Sequence, residues 1–348
     1  MLELPLHEDA EWPYVLSLLP ADLDSSARAM NALVRCRKVP NAAALLRMAL
    51  AYAVSDLSLK DVAAWAGAMN LAEITGPGLF YRLREAEAWL AAVLAQVLQA
   101  GTDSGPAGWR LRVVDATVIN GPAATGTDWR AHVLVDPASG SFRAVELTDE
   151  RGGEGLARHA VQGGEVVLGD RAYATARGVH AVREAEAHVV VRLNPYAIRV
   201  CDRKRQRVDL RKKEAKVPNV GVIEHQIVIP VPPQKTKSHK TWSSAKAIAW
   251  IPARAIAART RNGDVIWVLT TMEAAELPPL VALQLYRLRW QIELLFKRLK
   301  SLLHLDTLPS RHGPTAKSWM LARLLAAALA QRLVQPSGPL SPYGYELR

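Results

Sequence analysis

The sequence predicts an α/β protein: a mixed five-stranded sheet with flanking helices, preceded by a helical domain and interrupted by a β-rich insertion before its last helices. Three observations predict it. Residues 1–100 carry apolar side chains at spacings of three and four. From residue 109 the pattern changes to alternation or short apolar runs, with turn residues between them. From 194 to 272 the β character continues, but irregularly and among many Lys and Arg. The domains expected are 1–100, helical; 109–193, the first part of the sheet; 194–272, the basic insertion; 273–335, the closing helices; and 336–348, a tail.

In the first domain Ser25–Arg37, Ala42–Ser55, Ser58–Ala68 and Leu79–Gln99 read as helices, separated by Pro40, Gly76, Pro77 and Gly78. The stretch from Ser58 to Leu90 has two readings, a DNA-binding helix-turn-helix or plain helical packing. After the linker Gly101–Gly108, Leu111–Ile119, Arg130–Val135 and Phe142–Leu147 read as strands, the last two joined by a turn at Pro137–Gly140. A helix at Gly153–Val161, a strand at Glu165–Leu168, a helix at Thr175–Ala185 and a strand at His188–Leu193 follow. Three meandering strands, then helix, strand, helix, strand, is the element order of the RNase H-like fold. In the insertion, Val222–Ile229, Ala245–Ile251 and Val265–Thr270 read as strands.

A long helix from Leu277 to Leu303 comes next, then a second at Thr315–Val334. Successive residues of a helix turn by 100°, so Leu285, Leu288, Ile292, Leu295, Phe296 and Leu299 form an apolar stripe that must face a core. On a different face Tyr286, Arg289, Glu293 and Lys300 lie within about 60° of one another, in a row about 21 Å long. Taken alone, such a row reads first as a solvated face with ordinary ion pairs.

The net charge of +11 indicates a polyanionic partner, nucleic acid before an acidic membrane surface. The charge is local: residues 1–110 carry nine Lys/Arg against twelve Asp/Glu, residues 199–246 thirteen against four, and residues 286–332 nine against two. The turns Arg203–Arg207 and Arg211–Lys216 are therefore expected to track a DNA backbone. Two cysteines, Cys36 and Cys201, make no disulfide framework or zinc spacing. The acidic start, MLELPLHEDAEW, lacks the basic region of a signal peptide, and the apolar run Leu324–Ala330 is too short to span a bilayer. A cytoplasmic protein with no membrane partner is expected.

Asp115 sits within an apolar strand, an environment that costs free energy unless the carboxylate is paired, bound to metal or near solvent. Asp170 follows the fourth strand, where ligands gather in sheets with crossover helices. Either aspartate by itself reads first as a turn or strand-end cap. In the expected strand order they are neighbours, and Glu293 joins them from the helix packed alongside. Three oxygen ligands without Cys suit Mg²⁺ or Mn²⁺, and two such ions can clamp the attacking and leaving oxygens of phosphoryl displacement.

The motifs DAT at Asp115–Thr117, GDRAYA at Gly169–Ala174, and Y-x2-R-x3-E-x6-K at Tyr286, Arg289, Glu293 and Lys300 resemble those of DDE transposases of the bacterial insertion-sequence IS-four family. The resemblance covers about residues 100–305. It implies a transposase that binds insertion-sequence ends and carries out Mg-dependent strand cleavage and strand transfer, with Asp115 bridging two ions and Asp170 and Glu293 each holding one. It implies phosphate contacts for Tyr286, Arg289 and Lys300, and a strand-end DNA contact for Arg192. It further implies double-stranded DNA partners, both terminal inverted repeats and target, and a homodimer assembled on DNA. Trp267 is read either as a stacking platform for an unstacked terminal base or as a core residue. Glu154 resembles a recurrent family glutamate of unassigned role. Two rival functions are a metal-dependent nuclease that cuts without joining, and a catalytically silent DNA-binding relic or regulator; the intact Asp115, Asp170 and Glu293 argue against the second, since a binder gains nothing from three clustered acids facing phosphate.

Overall fold

The computed structural model describes residues 11–55, 57–99, 109–121, 126–137, 139–195, 197–233, 244–260, 262–290, 292–294, 296–297, 308–309 and 313–334. Six helices come first: α1 (Glu11–Ser17), α2 (Leu23–Ala29), α3 (Ala42–Val54), α4 (Leu59–Ala68), α5 (Gly76–Glu85) and α6 (Glu87–Gln99). Their starts follow side-chain capping. The Asn41 side chain accepts from the Ala44 amide, and Ser58 with Asp61 forms a reciprocal capping box. Gly76, Pro77 and Gly78 were expected to separate helices and instead form the first turn of α5. Thr75 caps that turn, and Pro77 has no amide hydrogen to leave unpaired. Two other helices differ from their sequence-based bounds. The helix expected to Arg37 ends at Ala29, because Asn31 takes a left-handed conformation at φ 60°. The helix expected over Leu79–Gln99 divides at Ala86.

Among the described residues, eight strands form one mixed sheet, in the order β3-β2-β1-β4-β5-β8-β7-β6. They are β1 (Arg110–Ile119), β2 (Trp129–Asp136), β3 (Ser141–Asp149), β4 (Glu165–Gly169), β5 (His188–Arg192), β6 (Val222–Val231), β7 (Ala249–Arg259) and β8 (Val265–Thr270). The first three meander antiparallel, and β4 and β5 run parallel to β1. Between β4 and β5 the chain crosses over through α7 (Ala176–Glu184). The sheet thus has eight strands where five were expected, since β8, β7 and β6 extend it from the edge of β5. The stretch expected as an insertion completes the sheet because β8 offers β5 an unpaired edge partner. The helix expected at Gly153–Val161 is a single three-residue turn, Leu156–Arg158. Upstream of it the chain passes so close to β3 that a Cβ on Gly152 would sit 1.9 Å from Thr148 Oγ1.

The two sheet faces carry separate cores. Leu111, Val113, Val133, Val166 and Leu168 pack with the N-terminal helices, with α9 (Pro279–Arg287), and with α10 (Gly313–Val334). Val114, Val167, Val189 and Val191 pack on the opposite face with Val179 and Val182 of α7. Each such side chain contributes about 1.5–3 kcal/mol on burial. The C-terminal helix α10 is held within the N-terminal helices: Ser318 Oγ donates to Leu83 O, Arg323 Nε to Ala53 O, and Lys317 pairs with Glu87 at 3.0 Å.

The long helix expected from Leu277 to Leu303 is interrupted. Its first part, α9, ends at Arg287; Leu288 and Arg289 form a turn, and among the described residues 290, 292–294 and 296–297 are again helical. Bonds from Leu288 N to Leu285 O, Arg289 N to Tyr286 O and Ile292 N to Arg289 O span three residues, so the chain tightens there. No Pro or Gly marks the break; packing and the ion pairs of Arg289 accompany it. One buried residue sets the approach to α9. Arg254 on β7 is 2% exposed, pairs with Glu224 at 2.7 Å, and donates to Met272 O and Leu277 O. Arg254→Met is expected to lower stability by about 3 kcal/mol, through the unpaired Glu224 and orphaned carbonyls. Urea denaturation measures this, and a loss under about 1 kcal/mol would show that the contacts are dispensable.

Candidate active site

Asp115 and Asp170 are brought together by strand register. β1 and β4 pair in parallel up to Val113 beside Leu168, and each aspartate lies two residues further on. Neighbouring strands run about 4.8 Å apart, so the Asp115 carboxylate, from within β1, and the Asp170 carboxylate, just past the end of β4, lie side by side on one face. That face is the one shared by Val113 and covered by α9. Asp115 Oδ1 accepts from the Ala116 amide at 2.8 Å, and Asp170 Oδ1 accepts from the Ala172 amide at 2.7 Å.

Arg289 links this pair to the third acid. Its Nη1 lies 3.7 Å from Asp115 Oδ2 and its Nη2 2.5 Å from Glu293 Oε1. A planar guanidinium joining them holds the two carboxylates within roughly 8.5 Å. The Arg289 Nε is buried with no hydrogen-bond partner among the described residues, and its guanidinium lies 5.9 Å from the Tyr286 ring centre. Burial alone would lower the Arg289 pKa, but the hydrogen bonds to Glu293 and Tyr286 outweigh it and hold the guanidinium charged. Burial raises the Tyr286 hydroxyl, against the pull of Arg289 and Arg192. Arg192 is exposed at the end of β5, on the rim of the same site. Lys300 lies outside the described residues.

Burial, more than charge, sets the protonation of the acids here. Burial pushes the Asp115 carboxyl up to about 6; the Ala116 amide and Arg289 pull it down, while Asp170 and Glu154 push it further up. Glu154 is raised by burial and by Asp170, with Arg130 opposing. The glycine turn delivers Glu154 here: Arg130 Nη1 holds Gly152 O at 2.7 Å, and Arg158 Nε donates to Gly153 O. Tyr173 is 2% exposed, and its hydroxyl has no hydrogen-bond partner among the described residues. Burial and the charges of Asp115, Glu154 and Asp170 push that hydroxyl well above the usual phenol value. Tyr173 stood inside the quoted GDRAYA motif without a role. The signal that distinguishes it is the glycine before the aspartate: a Cβ on Gly169 would meet the Tyr173 Cβ at 3.0 Å.

Trp267 is corrected. It is 2% exposed on β8, stacks on His225 at 6.0 Å, and donates its indole N–H to Glu214 at 3.3 Å. A base cannot stack on it, because both the ring and its polar edge are already engaged. Among the described residues no three Asp, Glu, His or Cys side chains already form a metal-holding group. Arg289 occupies the space between Asp115 and Glu293, as a cation would.

An all-carboxylate set beside arginines is suited to a hard divalent ion acting on phosphate. Residues 107–329 match the family described as Transposase DDE domain. The chain is 33% identical over 369 residues to the putative transposase InsL for insertion sequence element IS186A of Escherichia coli (strain K12), covering 95% of this chain and 96% of that one. It is 33% identical over 370 residues to the transposase for insertion sequence element IS421 of Escherichia coli, with the same coverage. A piggyBac transposase in a synaptic complex with hairpin DNA aligns with TM-score 0.49 and 8% identity, over 91% of this chain and 72% of that one, too slight a likeness to argue from. This chain belongs to the DDE transposases of the IS-four family. As such it is a DNA-binding enzyme that uses divalent metal.

Proposed function

We propose that this transposase binds the terminal inverted repeats of its own insertion sequence, cleaves the strand there and joins it to target DNA. It would act as a homodimer on DNA, from an RNase H-like core made of β3, β2, β1, β4 and β5. Asp115, Asp170 and Glu293 would hold Mg²⁺ or Mn²⁺, with Glu154 beside Asp170. The observation that carries this reading is the bridge from Asp115 through Arg289 to Glu293, on the face where Asp170 is Asp115's register neighbour. The fit to a divalent ion rests on the donors, which are hard carboxylate oxygens, and on the bridge by which a cationic guanidinium already joins Asp115 and Glu293. When bound, the ions supply Lewis acidity at the attacking and leaving oxygens.

The residues of the chain divide the remaining work. Asp115 is held within β1 and by the Ala116 amide, and Asp170 at the end of β4 by the Ala172 amide. Arg289 neutralises Asp115 and Glu293 until they take up metal, and its unpartnered Nε is ready to turn with the rest of the guanidinium to a phosphate oxygen. Tyr286, Arg192 and Lys300 would continue the phosphate contacts. The Tyr173 hydroxyl, buried near the acids and without a partner among the described residues, would donate to a water or DNA hydroxyl held there.

The test is incubation with the inverted repeats flanking its own locus and Mg²⁺, scored for nicking and for joining of a pre-cut end. Nicking and joining support a transposase. Nicking without joining would replace it by a nuclease, and the absence of both would reject the reading.

A further inference from the structure

A groove of about 870 Å³ includes Asp170 in its lining. Its basic lining comes from three separate stretches: Arg171 and Arg177 from the β4–α7 connection and the start of α7, Arg199 from the chain after β5, and Arg207 and Arg211 from the following hairpin and α8 (Arg211–Glu214). Five arginines thus face two acids, Asp170 and Asp209, and Asp209 is already paired with Arg211 at 2.9 Å. The walls are tied together rather than loosely apposed. Cys201 and Val228 exchange backbone hydrogen bonds at 2.8 Å, hanging the 201–207 hairpin on β6, and Arg177 Nε reaches Pro232 O at 3.4 Å. The first turn of α7 also lines the groove and adds the positive end of a helix dipole.

The groove lies across the sheet from the phosphate row. Ile198, Val200 and Leu210 beneath it belong to the core on the α7 face, whereas Tyr286 packs against the core on the α9 face. Asp170 stands between the two. DNA whose end duplex lies along Tyr286, Arg289 and Arg192 therefore crosses Asp170 and continues into the arginine groove. The groove's volume is that of a small-ligand pocket, suited to a few nucleotides of one strand and not to a duplex. Arginine-lined, with Pro195, Pro230 and Pro232 supplying apolar faces, it has the chemistry that tracks a single-strand backbone.

We propose that this groove binds the unpaired strand on the far side of the scissile phosphate, the flank that cleavage removes from the transposon end. The proposal rests on the transposase reading above. It also divides the basic stretch expected from sequence: Arg207 and Arg211 line the groove, whereas Arg203 and Lys204 are exposed outside it.

The test compares two substrates in filter binding without metal: an end duplex stopping at the cleavage position, and the same duplex carrying a five-nucleotide single-stranded flank. Wild-type protein should bind the flanked end about tenfold tighter, with a salt slope steeper by roughly 0.7 for each phosphate engaged. R177Q/R207Q should lose that gain and keep its affinity for the pre-cut end, which also reports that the variant is folded. R177K/R207K should recover part of the gain, because the charge is kept. Equal losses on both substrates, or a full gain in the Gln variant, would overturn the proposal. Wild-type protein that binds the pre-cut end but gains nothing from the flank would overturn the groove and leave the transposase reading intact. Failure to bind either end would sink both.

Discussion

Asp115→Asn is expected to reduce strand cleavage and joining by at least about 10³-fold, roughly 4 kcal/mol of transition-state stabilisation, while binding to the end duplex stays equal or tightens severalfold. The carboxylate is a poor neighbour for a phosphate and a necessary one for a cation, so the two activities part. The same substitution should stabilise the metal-free protein. Asp115 is raised to about 6 in the folded chain, chiefly by burial, from an ordinary value near 3.8. A carboxyl raised in this way costs nothing while it is protonated in both states. The cost grows as pH climbs past the unfolded value and is complete above the folded one. Two pH units correspond to roughly 2–3 kcal/mol. Thermal melts in EDTA should therefore show the Asn variant more stable than wild type by about 2 kcal/mol at pH 7.5, with no difference near pH 3. An Asn variant less stable at pH 7.5 would show that Asp115 is not held against its own charge.

Arg289→Ala should act in opposite directions on the two ligands. End-duplex binding should weaken, and its salt slope should fall by about one unit, as for loss of one phosphate contact. Mn²⁺ binding without DNA should tighten by at least about tenfold, equivalent to 1.4 kcal/mol, because Asp115 and Glu293 lose the guanidinium that competes with metal for them. Isothermal titration with Mn²⁺, set beside DNA titrations at several salt concentrations, reads both. Weakened DNA binding with unchanged metal affinity would show that Arg289 serves phosphate alone.

The parts of this site that could be read in sequence are those set by local pattern. Apolar alternation around Asp115 and the short run before Asp170 mark two strands, and a parallel pairing of the two follows from their order in the chain. Helix periodicity brought Tyr286, Arg289 and Glu293 to one face, and Arg289 does meet both Tyr286 and Glu293. What could not be read depends on tertiary contact. The break at Leu288–Arg289 has no Pro or Gly to announce it. The strands β6, β7 and β8 look like a separate subdomain until the free edge of β5 is known. Trp267 carries the same local signal whether it faces a core or a base, and only the partners Glu214 and His225 decide. The arginine groove draws on residues from 171 to 211, a convergence without sequence spacing to betray it.

The central claim is that Asp115, Asp170 and Glu293 hold divalent ions together. Electron paramagnetic resonance of Mn²⁺ bound to the full chain on a pre-cut end measures this most directly. Two ions about 4 Å apart should give an exchange-coupled spectrum, and Asp115→Asn, Asp170→Asn and Glu293→Gln should each abolish the coupling. A single uncoupled ion in the wild type, or coupling that survives Glu293→Gln, would contradict the account.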